Sequence, residues 1–174
     1  MTATWVRPGG GPAAGMRENP TMHIPINHHL RPLYRVLTGL AGLYVLVFGI
    51  AGASRSAGLP LFADPHHETL PWVLGLRTNP AFSYLSIGAG IALLAGAVIG
   101  RNVDHYVNLI AGGVFMLAGM AMMTLLQTDA NFLGFSMSNC VVSFILGLVT
   151  LAAGLYGRSG SPEQAEAEYA YQHR

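Results

Sequence analysis

His66-His67-Glu68 places two imidazoles and a carboxylate side by side, the residue types that bind zinc or copper or respond to pH near neutrality. Metal ligands are normally drawn together by the fold from separate positions, so His66, His67 and Glu68 are weak candidates and are expected to be solvated loop residues. His28-His29 and Asp104-His105 are further clusters of this kind. A haem held inside a helical bundle needs a histidine within a helix, and every histidine here is expected at or beyond a helix end. No nucleophile and base pair, glycine-rich phosphate loop or carboxylate dyad is visible. No catalytic residue, cofactor or metal is therefore assigned, and an enzyme is not expected. The single cysteine, Cys140, excludes an intrachain disulfide and lies in an apolar run, where it is expected to be a small core residue.

The elements that carry these residues follow from composition. The chain has 174 residues, is 52% hydrophobic and only 10% charged, and has a mean hydropathy of +0.43. Soluble domains carry roughly 25% charge, so a water-soluble surface cannot be built from this sequence. The length allows one compact domain. A net charge of +1, with scattered basic residues that are all arginine, gives no field that would attract nucleic acid.

Residues 1–30 are rich in Gly, Pro, Asn and His and show no apolar period, as expected of a flexible tail. Four apolar segments follow, at Val36–Ala53, Phe82–Gly100, Val107–Leu126 and Cys140–Tyr156, within a domain spanning 31–158. Each is close to the ~20 residues that cross a bilayer, and none contains a charged side chain. The fold class expected is all-α, a polytopic membrane four-helix bundle. Ala51-Gly52-Ala53 resembles a signal-peptidase site, but the long leader before it and the retained counterpart of this helix argue for a membrane span. Residues 159–174 form a second tail, in which Ser161-Pro162-Glu163 could start a short, frayed helix.

Arg7, Arg17, Arg31, Arg35, Arg101, Arg158 and Arg174 fall on one side of this arrangement and only Arg55 and Arg77 on the other. Cytoplasmic loops retain positive charge, so both termini are expected in the cytoplasm of a plasma-membrane protein, with outer loops at Ser54–Ala81 and Gln127–Asn139. Val36–Leu46 aligns with Val107–Leu117 without a gap, pairing Gly42 with Gly113. Leu74-Gly75-Leu76 leading to Asn79 resembles Leu133-Gly134-Phe135 leading to Asn139. Two parallel helix-loop-helix repeats are therefore expected. Asn79 and Asn139 sit just before the second helix of each copy, where an Asn side chain can cap the first-turn N–H groups. An outer pocket lined by both amides is the alternative.

Close helix packing in lipid requires small residues along one stripe. Helix two supplies Gly88, Ala92, Gly96 and Gly100, expected to pack within the bundle or against a second subunit. Helices one and three carry the heptad pairs Gly42/Gly49 and Gly112/Gly119.

The segments LGLRTNPAFS, GRNVDHYVNL and LLQTDANFLGFSMSN, within a run covering about two-thirds of the chain, resemble a family of small actinobacterial four-helix membrane proteins catalogued as a domain of unknown function. The resemblance implies membrane location and an actinobacterial source and supplies no catalytic residues. The expected partners are the lipid bilayer and either a second copy or a larger membrane complex. The expected role is a structural or accessory membrane component; the alternative is a small oligomeric channel or transporter.

The arginine asymmetry makes a topology prediction. In a Cys140→Ser background, a membrane-impermeant maleimide on intact cells should label a cysteine at Thr69 or Ala130 and leave one at Asn102 or Ser159 unlabelled; the reverse pattern would overturn the orientation.

Overall fold

The computed structural model describes residues 31–65 and 69–157. Both terminal tails, with the expected short helix at Ser161-Pro162-Glu163, lie outside the described residues. The described residues form four helices, α1 (Arg31–Arg55), α2 (Pro80–Ile99), α3 (Arg101–Leu125) and α4 (Met137–Tyr156), and a small hairpin, β1 (Trp72–Val73) and β2 (Leu76–Arg77). All four helices are long and apolar enough to cross a membrane. α1 packs chiefly on α2 and α3 chiefly on α4, with slighter contacts α1–α4 and α2–α3, so the helices form a ring in which α1 and α3 are diagonal.

Polarity in this bundle runs opposite to that of a soluble one. Leu40, Val47, Ile91, Ile110, Leu117, Ile145 and Leu148 point outward and are exposed, while Thr38, Ser83, Ser86, Asn108, Ser143 and Thr150 are buried between helices. Only a hydrocarbon solvent makes that distribution favourable, because apolar side chains lose nothing there and polar ones must find partners inside. The chain is an integral membrane protein.

The helices start earlier than apolar runs alone suggest. α3 begins at Arg101 rather than Val107, because one residue, Gly100 (φ 66, ψ −146), both ends α2 and starts α3. Its φ is in the left-handed region that favours glycine. The tight turn leaves the last carbonyls of α2 without intrahelical donors. Arg35 of α1 supplies them: Nε and Nη2 donate to Ala97 O at 3.1 and 2.7 Å, and Nη2 reaches Val98 O at 3.3 Å. A cation at a helix C-terminus also complements the dipole. The second hairpin repeats the device. His105 Nδ1 lies 2.6 Å from Gly154 O of α4, which fixes the proton on Nδ1. His105 thus sits within a helix, in the second turn of α3, rather than at or beyond a helix end as expected.

Within each hairpin, glycines bring backbones together. A methyl group at Gly90 would lie 2.6 Å from the Leu46 nitrogen, and one at Gly49 2.7 Å from the Ile87 nitrogen. In α3–α4 the corresponding distances are 2.7 Å from Gly112 to the Leu151 nitrogen and 2.8 Å from Gly154 to the Leu109 nitrogen. Gly113, paired with Gly42 in the sequence alignment, has nothing within 4 Å, whereas Gly112 is at the interface. Arg35/His105, Gly42/Gly112 and Gly49/Gly119 are the structurally matching pairs, each 70 positions apart (105 − 35, 112 − 42, 119 − 49), one residue off the gap-free alignment.

The expected stripe on helix two divides. Gly96 and Gly100 are buried, facing Val107 and Arg35, but Gly88 and Ala92 are exposed, with nothing within 4 Å of a Cβ at Gly88. The reason is geometric. The α1 seam runs through Ser83, Ser86, Gly90 and Leu93, all buried. At ~100° per residue Gly88 lies ~200° from Gly90, and each four-residue step rotates the stripe a further ~40° around the helix. Gly90 is the close-approach glycine that the four-residue spacing missed.

These distances rank the glycines. Gly90→Ala and Gly112→Ala should each destabilise by about 1–3 kcal/mol through overpacking against backbone. Gly96→Ala should cost less, since Val107 side-chain atoms at 3.1 Å can yield, and Gly88→Ala should be close to neutral. Thermal unfolding in mild detergent checks the order; equal losses at Gly88 and Gly90 would contradict the assigned seam.

Candidate functional site at the loop end

A cluster of buried polar side chains joins the two loops at the end of the bundle away from the termini. Asn79, Thr78, Asn131 and Asn139 are almost entirely excluded from solvent there.

Asn79 is the N-cap of α2. Its backbone is extended (φ −120, ψ 172), and Oδ1 accepts from Phe82 N–H at 2.9 Å, with Pro80 in the first helical turn. Its Nδ2 donates to Ala63 O at 3.2 Å in its own loop and to Phe132 O at 2.9 Å in the other. Ser83 Oγ donates to Asn79 O at 2.9 Å and pairs with Thr78 Oγ at 2.8 Å, which fixes the approach to the cap.

Asn139 is not the N-cap of α4, contrary to the expected equivalence. α4 begins at Met137 behind Ser136, whose extended backbone (φ −115, ψ 172) makes it the N-cap, and Asn139 is the third helical residue of a capping box. Its Oδ1 accepts from Ser136 N–H at 3.3 Å and Ser136 Oγ–H at 2.6 Å. The same amide faces β2: Arg77 N–H donates to Oδ1 at 3.0 Å, and Nδ2 donates to Arg77 O at 2.7 Å. Asn79 of the first half thus holds the second loop, and Asn139 of the second half holds the first.

The β-hairpin explains why Arg77 needs such a partner. Leu74 (φ 48) and Gly75 (φ 81) form a two-residue turn with both φ positive, the conformation that fits the twist of paired strands. Trp72 pairs with Arg77 and Val73 with Leu76, and the strands lie against α1 and α4 respectively. Two strands leave two free edges. The β1 edge is met from α1, where Arg55 Nη1 donates to Trp72 O at 3.0 Å, and Tyr44 OH donates to Leu74 O of the turn at 3.5 Å. The β2 edge is met by Asn139. Tyr44 and Arg55 are about 16 Å apart along the α1 axis, so the hairpin hangs beside the helix instead of standing above it. Val73 and Leu76 bury against Phe48, and Arg77 lies 5.6 Å over the Trp72 ring.

Asn131 organises the second loop. Its Oδ1 accepts from Phe135 N–H and its Nδ2 donates to Phe135 O, both at 2.9 Å, around the left-handed Gly134 (φ 64). Asn131 was not singled out from sequence; an Asn three residues before a Gly in a short loop is a turn signal that could have found it. Phe82 joins the halves, its ring 5.2 Å from Phe48 and 4.6 Å from Phe135. Cys140 is fully buried in the Ala81, Met122, Leu133 and Phe135 cluster.

A cavity of about 30 Å³ lies below, lined by Tyr44, Leu76, Ser86, Phe115, Asn139 and Ser143 among others. That is room for one or two waters. Asn139 lines this cavity and Asn79 does not, so it is not shared by the two amides. His66, His67 and Glu68 lie outside the described residues, and the described ones hold no group of three metal-ligating side chains. Chemically, these amides and hydroxyls satisfy loop backbone, and none is paired with an activating base.

Comparison with family models, curated proteins and solved structures returns no match.

Each amide does more than cap, so loss should exceed the ~1 kcal/mol of a cap alone. Asn79→Ala and Asn139→Ala should each lower unfolding stability by about 2–4 kcal/mol by stranding several buried groups. Asn79→Asp should also be poorly tolerated: it keeps the cap acceptor but turns an oxygen toward the Ala63 and Phe132 carbonyls. If Asn79→Asp unfolds like wild type at neutral pH in detergent, the link to Phe132 is wrong.

Proposed function

We propose that this protein is a non-catalytic structural or accessory component of a larger assembly in the plasma membrane, with both termini cytoplasmic. We further propose that it belongs to the small actinobacterial four-helix family that its sequence resembles, and that its two helix hairpins are copies in a 70-residue register for the first helix of each. The matching Arg35/His105 and Gly42/Gly112 contacts support that register.

The observation that carries the functional reading is the division of α2. One face is closed on α1 through Ser83, Ser86, Gly90 and Leu93, while Gly88 and Ala92 face out of the bundle. Small residues on a lipid-facing surface let another helix approach closely, as a partner subunit would. At the loop end, Asn79, Asn131 and Asn139 are engaged with the protein's own backbone. The alternative reading is a small oligomeric channel or transporter, whose conducting path needs polar groups directed toward the permeant species.

Affinity purification in mild detergent followed by mass spectrometry tests the reading. The chain should recover a stoichiometric membrane partner or a second copy of itself. Gly88→Leu should abolish that association while leaving the thermal stability of the purified chain unchanged. Recovery of the chain alone, together with ionic conductance of the purified protein in liposomes, would overturn it in favour of a channel.

A further inference from the structure

Three buried helical hydroxyls share one habit. Ser83, Ser86 and Thr150 each donate to the backbone carbonyl four residues earlier, at 2.7 to 2.9 Å. Ser143 of α4 makes no such bond. It is 7% exposed, and its Oγ has no hydrogen-bond partner among the described residues.

Ser143 lines the cavity of about 30 Å³ beneath the hairpin instead. All four helices and β2 contribute to its wall, with Phe48 from α1, Ser86 from α2, Phe115 from α3, Asn139 from α4 and Leu76 from β2. Ser86 and Ser143 stand six residues into their helices (86 − 80, 143 − 137), so both lie ~9 Å below helix starts at the loop end. The cavity therefore brings two hydroxyls and an amide to one depth inside a bundle whose outer surface is apolar. Their capacity is only partly used. Ser86 Oγ donates to Phe82 O at 2.8 Å and keeps its lone pairs free to accept. Asn139 Nδ2 gives one N–H to Arg77 O at 2.7 Å and has a second N–H to give. Ser143 has its whole hydroxyl uncommitted.

We propose that this cavity is an internal water site, in which a resident water accepts from the Ser143 hydroxyl and the Asn139 amide and donates to Ser86 Oγ. Buried waters make about three hydrogen bonds, to groups that lack protein partners, and this wall offers three. Space agrees with chemistry: roughly 10–15 Å³ holds one water, so the cavity takes one and has room for a second. The pressure to fill it is greater in a membrane than in a soluble core, because an unmet hydroxyl there cannot turn to solvent. A lipid chain end or a void would leave Ser143 without a partner. The water also has a structural role: it ties α2 to α4, the diagonal pair of the ring, under the hairpin that Asn139 holds from above.

The test is ¹⁷O relaxation dispersion of water around the full chain in lipid nanodiscs, which counts long-lived waters by their oxygen and is blind to exchanging hydroxyl protons. Wild type should hold about one more such water per chain than Ser143→Ala, which removes only an unbonded hydroxyl; Ser86→Ala serves in its place if that variant does not fold. The site is located by magnetisation transfer from water to the methyls of Leu76 and Val142, both in the cavity wall. Those cross-peaks should be present in the wild type and fall at least ~3-fold in the variant. Equal ¹⁷O dispersion in wild type and variant would overturn the proposal, and so would wild-type methyls that receive nothing from water, the signature of a dry or lipid-filled cavity.

Discussion

Backbone hydrogen bonding at the loop end is the constraint on which the rest of this structure depends. A helix meets its own backbone needs, whereas a two-stranded hairpin beside membrane helices exposes both edges to a medium with little or no water. The protein answers with side chains of the flanking helices, using Arg55 for β1, Tyr44 for the turn and Asn139 for β2. Asn79 does the reciprocal task for the second loop through Phe132 O. Because each amide is anchored in one helix hairpin and holds the loop of the other, the loops double as the fastener between hairpins whose direct helix contacts, α1–α4 and α2–α3, are slight.

Elsewhere cohesion comes from shape. Lipid removes the hydrophobic drive for helices to associate, which leaves close packing and interhelical hydrogen bonds. Gly42, Gly49 and Gly90 in one hairpin and Gly112, Gly147 and Gly154 in the other let helices meet at backbone distance. The end near the termini is secured differently, by Arg35 and His105 on the C-terminal carbonyls of α2 and α4 and by the stacked rings of Tyr34 and Tyr156, 5.8 Å apart. Each hairpin is thus pinned at both ends and closely packed between them.

Much of the architecture was legible from composition because a bilayer leaves few alternatives: four apolar runs without charge had to be spans. Asn79 was readable as a cap because Asn-Pro is a strong helix-start signal. Asn139 was misplaced because its apparent equivalence to Asn79 ignored Ser136, a better N-cap three residues earlier that makes Asn139 the third residue of a capping box. The start of α3 was placed late because Asp104 and His105 read as loop residues, although a one-glycine turn leaves no loop for them. On α2, the four-residue spacing read as one stripe divides, with Gly96 and Gly100 packed inside the bundle and Gly88 and Ala92 facing out, while the seam with α1 follows alternating steps of three and four. The hairpin was invisible to an apolar-period reading, since two-residue strands carry too little pattern; Leu74-Gly75 was its sequence trace.

The crossed amide fastener is tested most directly by hydrogen exchange of the Arg77 amide in lipid nanodiscs. That N–H has Asn139 Oδ1, a side chain from the other hairpin, as its acceptor at 3.0 Å. If the fastener holds, Arg77 exchanges as slowly as amides in the first turns of α4, and Asn139→Leu speeds it by at least ~10-fold while mid-helix amides of α2 stay protected. An Arg77 amide that exchanges in the wild type as fast as a solvent-exposed loop amide would contradict the account.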